Sequence, residues 1–391
     1  MATRYGSLGW ALALVASGCG LLAPVGAGPT RAEITNRQLI VLYEPGVEPR
    51  PLEFREQRLN VVDEFDLIGK VQVLDVPAPL SVPEAARQIQ GLPGVRGATP
   101  NRAKTWSLSP NDPLVYRQWW VNGARSGLRA QQLWDRQDDA SAVVVAVLDS
   151  GIDYVHPELA GRVLLGINTL ERPASRDVLD RDGHGTHVAG IIGAAGNNAL
   201  GVAGVTWNVK MMALKVLDRD GGNDAAALAA ISYAARNGAK VINMSFNSED
   251  RTISQGYTDA VAFARQQGAV VVGASGNDGG PVTQPANTPG VLAVAALAGN
   301  GTSVAGYSNL GATVRLAAPG DDILSTVPGG RYANDSGTSM AAPFVSAAAA
   351  IVWARHPDWT VEQVEKAVQG AAVPLAGHGD RLGRLDYTLL P

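Results

Sequence analysis

The sequence predicts an α/β protein built on a mostly parallel sheet with helices on both faces, preceded by a small α+β unit. Three observations predict it. Short β-branched runs recur along most of the chain without the apolar–polar alternation of a half-exposed strand. Helical stretches that close on glycine separate several of these runs. The first hundred residues follow a different rhythm, with alternating strands around one short helix.

Residues 1–32 contain no Asp or Glu, carry Arg4 near the start, and continue as LGWALALVASGCGLLAPVGA. This stretch is too interrupted for a transmembrane span and reads as an export signal. Two cleavage positions stay open: the small-residue site Val25-Gly26-Ala27, and a cut before Cys19, because Ala16-Ser17-Gly18-Cys19 resembles a bacterial lipoprotein box. The second would leave a lipid anchor, the one route by which the chain would meet a membrane. Cys19 is the only cysteine, so no intramolecular disulfide can form. Stability must come from packing, with metal as a possible supplement.

Residues 38–104 form the α+β unit. QLIVLYE and KVQVLDV read as strands, VPEAARQIQGL as a helix and VRGATPN as a further strand, in a unit of about 65 residues, near the lower limit for independent folding. Trp106–Pro113 (WSLSPNDP) is a polar, proline-punctuated linker, and residues 105–110 separate the two folded segments. Residues 111–391 then alternate strand and helix. Strands are predicted at Ala142–Leu148, Met211–Leu217, Lys240–Phe246, Ala269–Ala274, Val291–Leu297 and Val314–Ala318. Helices are predicted at Asp224–Asn237, ending at Gly238, and Ser254–Gln267, ending at Gly268; another opens at Thr360, with Gln363 three residues on as a capping box. With 32 Lys and Arg against 36 Asp and Glu, a net charge of −4 and no basic run, nucleic acid is not an expected partner.

Parallel sheets place ligands off the carboxyl ends of their strands, and the chemistry-bearing segments fall there. LDSGID sets Asp149 at a strand end, HGTHVAG opens a small-residue helix with His184, ASGN puts Asn277 just after a strand, and SGTSMAAP opens a helix with Ser339. Singly, each reads as a cap or turn residue. Jointly they supply acyl transfer: a serine nucleophile, an imidazole base, a carboxylate that orients it, and an amide donor for the oxyanion.

The four segments LDSGID, HGTHVAG, ASGN and SGTSMAAPFVSA, in the order Asp, His, Asn, Ser, resemble the signature segments of the subtilisin-like serine peptidases, the subtilases. The resemblance covers roughly residues 111–387. It implies a subtilisin-like fold and an exported, self-processing serine endopeptidase acting on polypeptides, with Asp149, His184, Asn277 and Ser339 catalytic. It implies that residues 38–104 are a ferredoxin-like propeptide, serving as intramolecular chaperone and then inhibitor, released by a cut between Ala103 and Pro110. Substrate would lie as an extended strand, with one side chain entering a slot between Ser245-Phe246-Asn247 and Ala274-Ser275-Gly276. The family usually has Gly at the position of Asn247, which narrows the slot or makes it more polar, and it prefers Ala at Ser275 and often has His at Phe344.

The resemblance also implies a structural Ca²⁺, held by Asp112, Glu158, the side chain of Asn198 and the carbonyls of Gly196, Leu200 and Val202. His187, three residues after His184, reads as a helix-surface histidine or one supporting the site from behind; a zinc pair with His184 lacks a third ligand. Asp177, Asp180 and Asp182 read as a solvated loop, and Ser346 as a packing residue. The rival expectation is a catalytically silent subtilase fold that serves as a binding or scaffold protein of the cell envelope.

Overall fold

A computed structural model of the chain describes residues 37–101, 110–121, 128–136 and 139–391. The expected export signal, with Cys19 and Val25-Gly26-Ala27, and most of the linker lie outside the described residues. The chain divides into two compact units, one ending at Thr105 and one beginning at Trp106.

In the first unit, β1 (Gln38–Tyr43), β2 (Asn60–Leu67), β3 (Gly69–Asp75) and β4 (Val95–Pro100) pair antiparallel in the order β2-β3-β1-β4. Helix α1 (Val82–Gln90) covers the sheet. Its start is encoded by Ser81 in extended conformation, Pro83 in the first turn and Glu84 beside the positive helix end. Val82, Ala85, Ala86 and Ile89 recur at helical spacing and pack on Leu39, Val41 and Tyr43, the inward set of β1. Strand β2 was not expected. All eight of its residues are exposed, so no core-facing pattern marks it in the sequence.

The second unit is built on nine strands: β5 (Ala140–Asp149), β6 (Val163–Asn168), β7 (Val209–Lys215), β8 (Val241–Met244), β9 (Val270–Ala274), β10 (Val291–Leu297), β11 (Val314–Pro319), β14 (Ala372–Leu375) and β15 (Gly379–Leu385). Their order is β14-β15-β11-β10-β9-β8-β5-β7-β6, and every neighbouring pair is parallel except β14-β15 at one edge. Between β7 and β9 of this sheet run α3 (Asp224–Arg236), before β8, and α4 (Gln255–Gln266), after it. Between β6 and β7 comes α2 (His184–Gly193), and after β11 come α5 (Thr338–Arg355) and α6 (Val361–Gly370). A short hairpin, β12 (Ile323–Val327) with β13 (Arg331–Asp335), precedes α5.

Alternation along each strand feeds the two faces. Val145, Val147, Met211, Ala213, Val270 and Val272 join α2 and α5 in one core; Ala146, Leu148, Met212, Leu214, Ile242 and Val271 join α3 and α4 in the other. Both side-chain sets are apolar, which is why these strands read as continuous runs. The predicted boundaries stand within a residue or two, and Thr360 and Gln363 form the reciprocal capping box. Edge strands β6 and β14, and β15 beside β14, were missed: β15 (GDRLGRL) is polar and glycine-containing, so its letters do not announce a strand.

Helix α2 is buried along its whole length after His184 and packs on α5 and on β12. The β12 hydroxyls anchor it: Ser325 Oγ donates to His187 O and Thr326 Oγ1 to Thr186 O, both at 2.8 Å. Gly190 faces those hydroxyls, and a Cβ there would overlap both. Gly190→Ala is therefore expected to destabilise the second unit by about 1–3 kcal/mol through overpacking, measured as a lowered denaturation midpoint at unchanged m-value.

Candidate active site

Asp149 is the last residue of β5 and fully buried. Its Oδ1 faces His184 Nδ1 at 2.7 Å and accepts the Ser150 N–H at 2.7 Å. A carboxylate opposite Nδ1 requires the proton there, so the neutral ring presents its lone pair at Nε2. Gly185 lets the helix start approach this closely: a Cβ would press on Gly151 O and on Asp149 Cβ. Burial pulls the His184 pKa down, but the Asp149 carboxylate outweighs it and, with Asp335 and Asp180 adding negative charge, raises it to about 9.

Ser339 lies in the first turn of α5, whose N-cap is Gly337 and offers no side chain. Main-chain N–H groups in a first turn have no acceptor within their own helix. Thr338 N–H is taken by Asn277 Oδ1 at 2.8 Å, and Thr338 Oγ1 donates to the same oxygen at 2.9 Å. The carbonyl side of the Asn277 amide is thereby fixed, which leaves its Nδ2 as the outward donor, on an exposed residue beside Gly337. Ser339 Oγ donates to Ser245 O at 2.8 Å, while Ser245 Oγ donates to Ser339 O at 2.8 Å. A hydroxyl has one proton, so in this resting arrangement it is directed at Ser245 and not at His184.

Several supporting residues were not anticipated. Asn243, fully buried, donates to Ser245 Oγ at 2.9 Å and accepts from Ser346 Oγ at 2.7 Å, so Ser346 is a hydrogen-bonding residue and not mere packing. Asn309, also fully buried, holds the loop that carries Asn277: its Oδ1 accepts Asp278 N–H at 3.0 Å and Gly280 N–H at 2.9 Å, and its Nδ2 donates to Pro281 O at 3.0 Å. The signal available in the sequence for Asn243 was a lone Asn inside an apolar run; Asn309 stands in the segment GYSNLG, where nothing sets it apart. His187 is buried, correcting the helix-surface option. Its Nε2 reaches Ile323 O at 2.9 Å and Ala333 O at 3.1 Å, tying both strands of the β12–β13 hairpin to α2. Desolvation lowers its pKa, so it is a neutral N–H donor. Asp180 is likewise buried, where a solvated loop was expected, whereas Asp177 and Asp182 are exposed.

The segments expected to wall the substrate slot leave adjacent parallel strands, since Met244 of β8 pairs with Gly273 of β9. Ser245 is buried, Phe246 half-buried and Asn247 exposed; Ala274, Ser275 and Gly276 are buried. Ser275 Oγ donates to Asn309 O at 2.9 Å, which absorbs the polar group that stands in place of Ala. Phe344 is fully buried, edge-on to Trp120 at 5.0 Å. On the other side of His184 a cleft of about 450 Å³ is lined by Asp182, Arg331 and Asp335 among others.

Of the residues expected around Ca²⁺, Asp112, Glu158, Asn198 and Val202 are joined by hydrogen bonds. Asp112 Oδ2 accepts Asn197 N–H at 2.7 Å, Glu158 Oε2 accepts Asn198 Nδ2 at 2.8 Å, and Glu158 Oε1 accepts the Val202 N–H at 3.2 Å and Tyr332 OH at 2.9 Å. Both carboxylates are buried, and burial pushes Asp112 upward in pKa. These donors are neutral, with Arg162 the cation in electrostatic reach of Glu158. The chemistry suits an oxygen-liking cation in charge, but among the described residues no three or more His, Cys, Asp or Glu converge as a metal site. Any ion here would lean on main-chain carbonyls.

The model of the subtilase family matches residues 140–384. The chain is a subtilase. It is 35% identical over 356 residues to a thermophilic serine proteinase of Bacillus sp. strain AK1, covering 89% of this chain and 86% of that one. Thermitase of Thermoactinomyces vulgaris is 35% identical over 274 residues, 69% of this chain and 94% of thermitase. Among solved structures, proteases from Pseudoalteromonas arctica PAMC 21717 superpose with a TM-score of 0.67 at 31% identity, covering 72% of this chain and 98% of that one. This subtilase is accordingly a serine endopeptidase. In it, NMR titration of His184 is expected to give a pKa above 6.5, toward about 9. The raised value means that the ring contributes stability fully present below its unfolded pKa and lost as pH rises through about 9. A measured value at or below 6.5 would contradict the Asp149 pairing.

Proposed function

We propose that the chain is an exported, self-processing endopeptidase in which Ser339 attacks the scissile carbonyl. His184 Nε2 takes the Ser339 hydroxyl proton as the Oγ–C bond forms, and returns it to the leaving amine when the C–N bond breaks. Water then hydrolyses the acyl-enzyme by the same route. Asp149 holds the ring in the Nδ1–H tautomer and stabilises the imidazolium. Asn277 Nδ2 and the Ser339 N–H receive the oxyanion at the positive end of α5. The single observation that carries this reading is the 2.7 Å Asp149–His184 pair on the sheet edge from which the Ser245 and Asn277 segments also depart. The hydroxyl must leave Ser245 O and turn toward His184 before transfer, so substrate entry has a rotamer change to drive.

Residues 245–247 and 274–276 bind the substrate as two main-chain walls, with the exposed Asn247 amide at the entrance. Residues 38–104 act as chaperone and inhibitor until cleavage within 103–110, and the first 32 residues direct export, with Cys19 a lipid anchor if the cut falls before it. Calcium binds the Gly196–Val202 loop through the Gly196, Leu200 and Val202 carbonyls, the Asn198 side chain, Asp112 and Glu158. It would supply positive charge to two buried carboxylates whose hydrogen-bond donors are neutral, beyond what Arg162 gives Glu158.

Two measurements test this. The wild-type precursor is expected to shorten and to react with a fluorophosphonate probe, whereas Ser339→Ala stays full length and unlabelled; if both stay full length and neither reacts, the scaffold alternative replaces the enzyme. Chelation with EDTA is expected to lower the melting temperature of the mature form, and an unchanged melting temperature removes the calcium assignment.

A further inference from the structure

Asp180 is 3% exposed and its carboxylate accepts five hydrogen bonds. Oδ1 receives Ser150 Oγ, Asp182 N–H and Gly183 N–H, each at 2.9 Å; Oδ2 receives Thr186 N–H at 2.9 Å and Thr186 Oγ1 at 2.6 Å. Every donor is neutral, and five exceed the roughly four lone-pair sites of a carboxylate. Only the ionised acid suits such a shell, because a proton or an amide NH₂ on either oxygen would face a donor.

The donors come from both halves of the Asp149–His184 pair. Ser150 follows Asp149, and its Oγ also accepts Gly185 N–H at 2.9 Å. Lys215 Nζ, buried beneath it, fixes Ser150 O at 2.8 Å. Gly183 and Thr186 flank His184, and Thr186 Oγ1 accepts Asp153 N–H at 2.9 Å. Gly183 is the N-cap of α2 and has no side chain, so Asp180, three residues earlier, takes the N–H of Gly183 and of Thr186, while Gly185 N–H goes to Ser150 Oγ.

We propose that Asp180 is a positioning residue for the catalytic pair: its buried carboxylate locks the start of α2 onto the end of β5, which holds the His184 ring against Asp149. The proposal rests on the peptidase reading of the site. Three carboxylates bear on His184, namely Asp149, Asp335 and Asp180, opposed by burial; around them stand His187, Lys215 and the exposed Asp177–Arg181 pair. Removing the Asp180 charge therefore lowers the pKa of the base as well as loosening its mount.

The test compares full-length wild type, Asp180→Asn and Ser339→Ala on a chromogenic peptide anilide across pH, with thermal melts of each. Asp180→Asn is expected to remain folded at assay temperature, with kcat down on the order of 100-fold from misplacement of the base. KM should stay within about threefold, and the acid limb of kcat should shift to lower pH. A kcat within about twofold of wild type overturns the proposal, as does a reduced kcat with an unmoved acid limb, which would make Asp180 merely structural. If Asp180→Asn is unfolded, Ser150→Ala removes one of the five contacts and the link to Gly185, and is expected to lower kcat roughly tenfold; unchanged kcat there also overturns the proposal. A wild-type chain no more active than Ser339→Ala overturns the peptidase reading, and this inference with it.

Discussion

The second unit depends on one constraint: α5 is buried from Thr338 to Trp353 and yet carries in its first turn Ser339, the residue proposed to meet substrate. A helix enclosed on all sides carries no amphipathic stripe, and alanines let it lie close to the sheet, against β5, β8, β9, β10 and β11. Close approach makes polar groups costly unless they are paired. Ser346, Asn243, Ser245 and Ser339 therefore form one continuous chain of hydrogen bonds across the helix–sheet interface. The same burial that makes the helix apolar makes this chain rigid, since any one member removed leaves another unsatisfied.

Sheet topology supplies the rest. Because β5, β8 and β9 are parallel and adjacent, their carboxyl ends deliver Asp149, the Ser245 segment and the Ala274 segment to a single edge. The chain turns from one side of β5 to the other between β7 and β8, and a crevice opens where strand order reverses in this way. Helix α2, reached from β6 through residues 169–183, brings His184 to Asp149 at the end of β5. Gly185 permits the approach, and the Ser325 and Thr326 hydroxyls hold the helix from behind.

Legibility in the sequence followed burial. Central strands, buried on both faces, showed as β-branched runs; Asp149 and Asn277 stood at or just after two of their ends, and His184 and Ser339 opened helices. Strand β2, exposed throughout, and β15, polar and one strand in from a sheet edge, carried no such mark. Within the site, the residues singled out in the sequence were those with nucleophilic, titratable or amide chemistry, while those whose role is to satisfy others were passed over. Asn243, Asn309 and Asp180 look like ordinary polar letters until the donors around them are known, and those donors come from segments distant in sequence. Local periodicity cannot encode such a meeting; only the tertiary fold creates it.

The two histidines of α2 show how far environment outweighs identity. They lie three residues apart on one short helix, and burial pulls both pKa values down. His187 meets only carbonyl oxygens at its Nε2, which can be satisfied by the neutral ring, so desolvation prevails and it remains a structural donor. His184 meets a buried carboxylate at 2.7 Å, with two more carboxylates in reach, and the balance reverses. A stronger base results, with a smaller unprotonated fraction at neutral pH. In the proposed mechanism that trade suits Ser339, whose own proton is hard to remove, better than it would suit an already acidic group. The acids around His184 are thus as much a part of the chemistry as the ring itself.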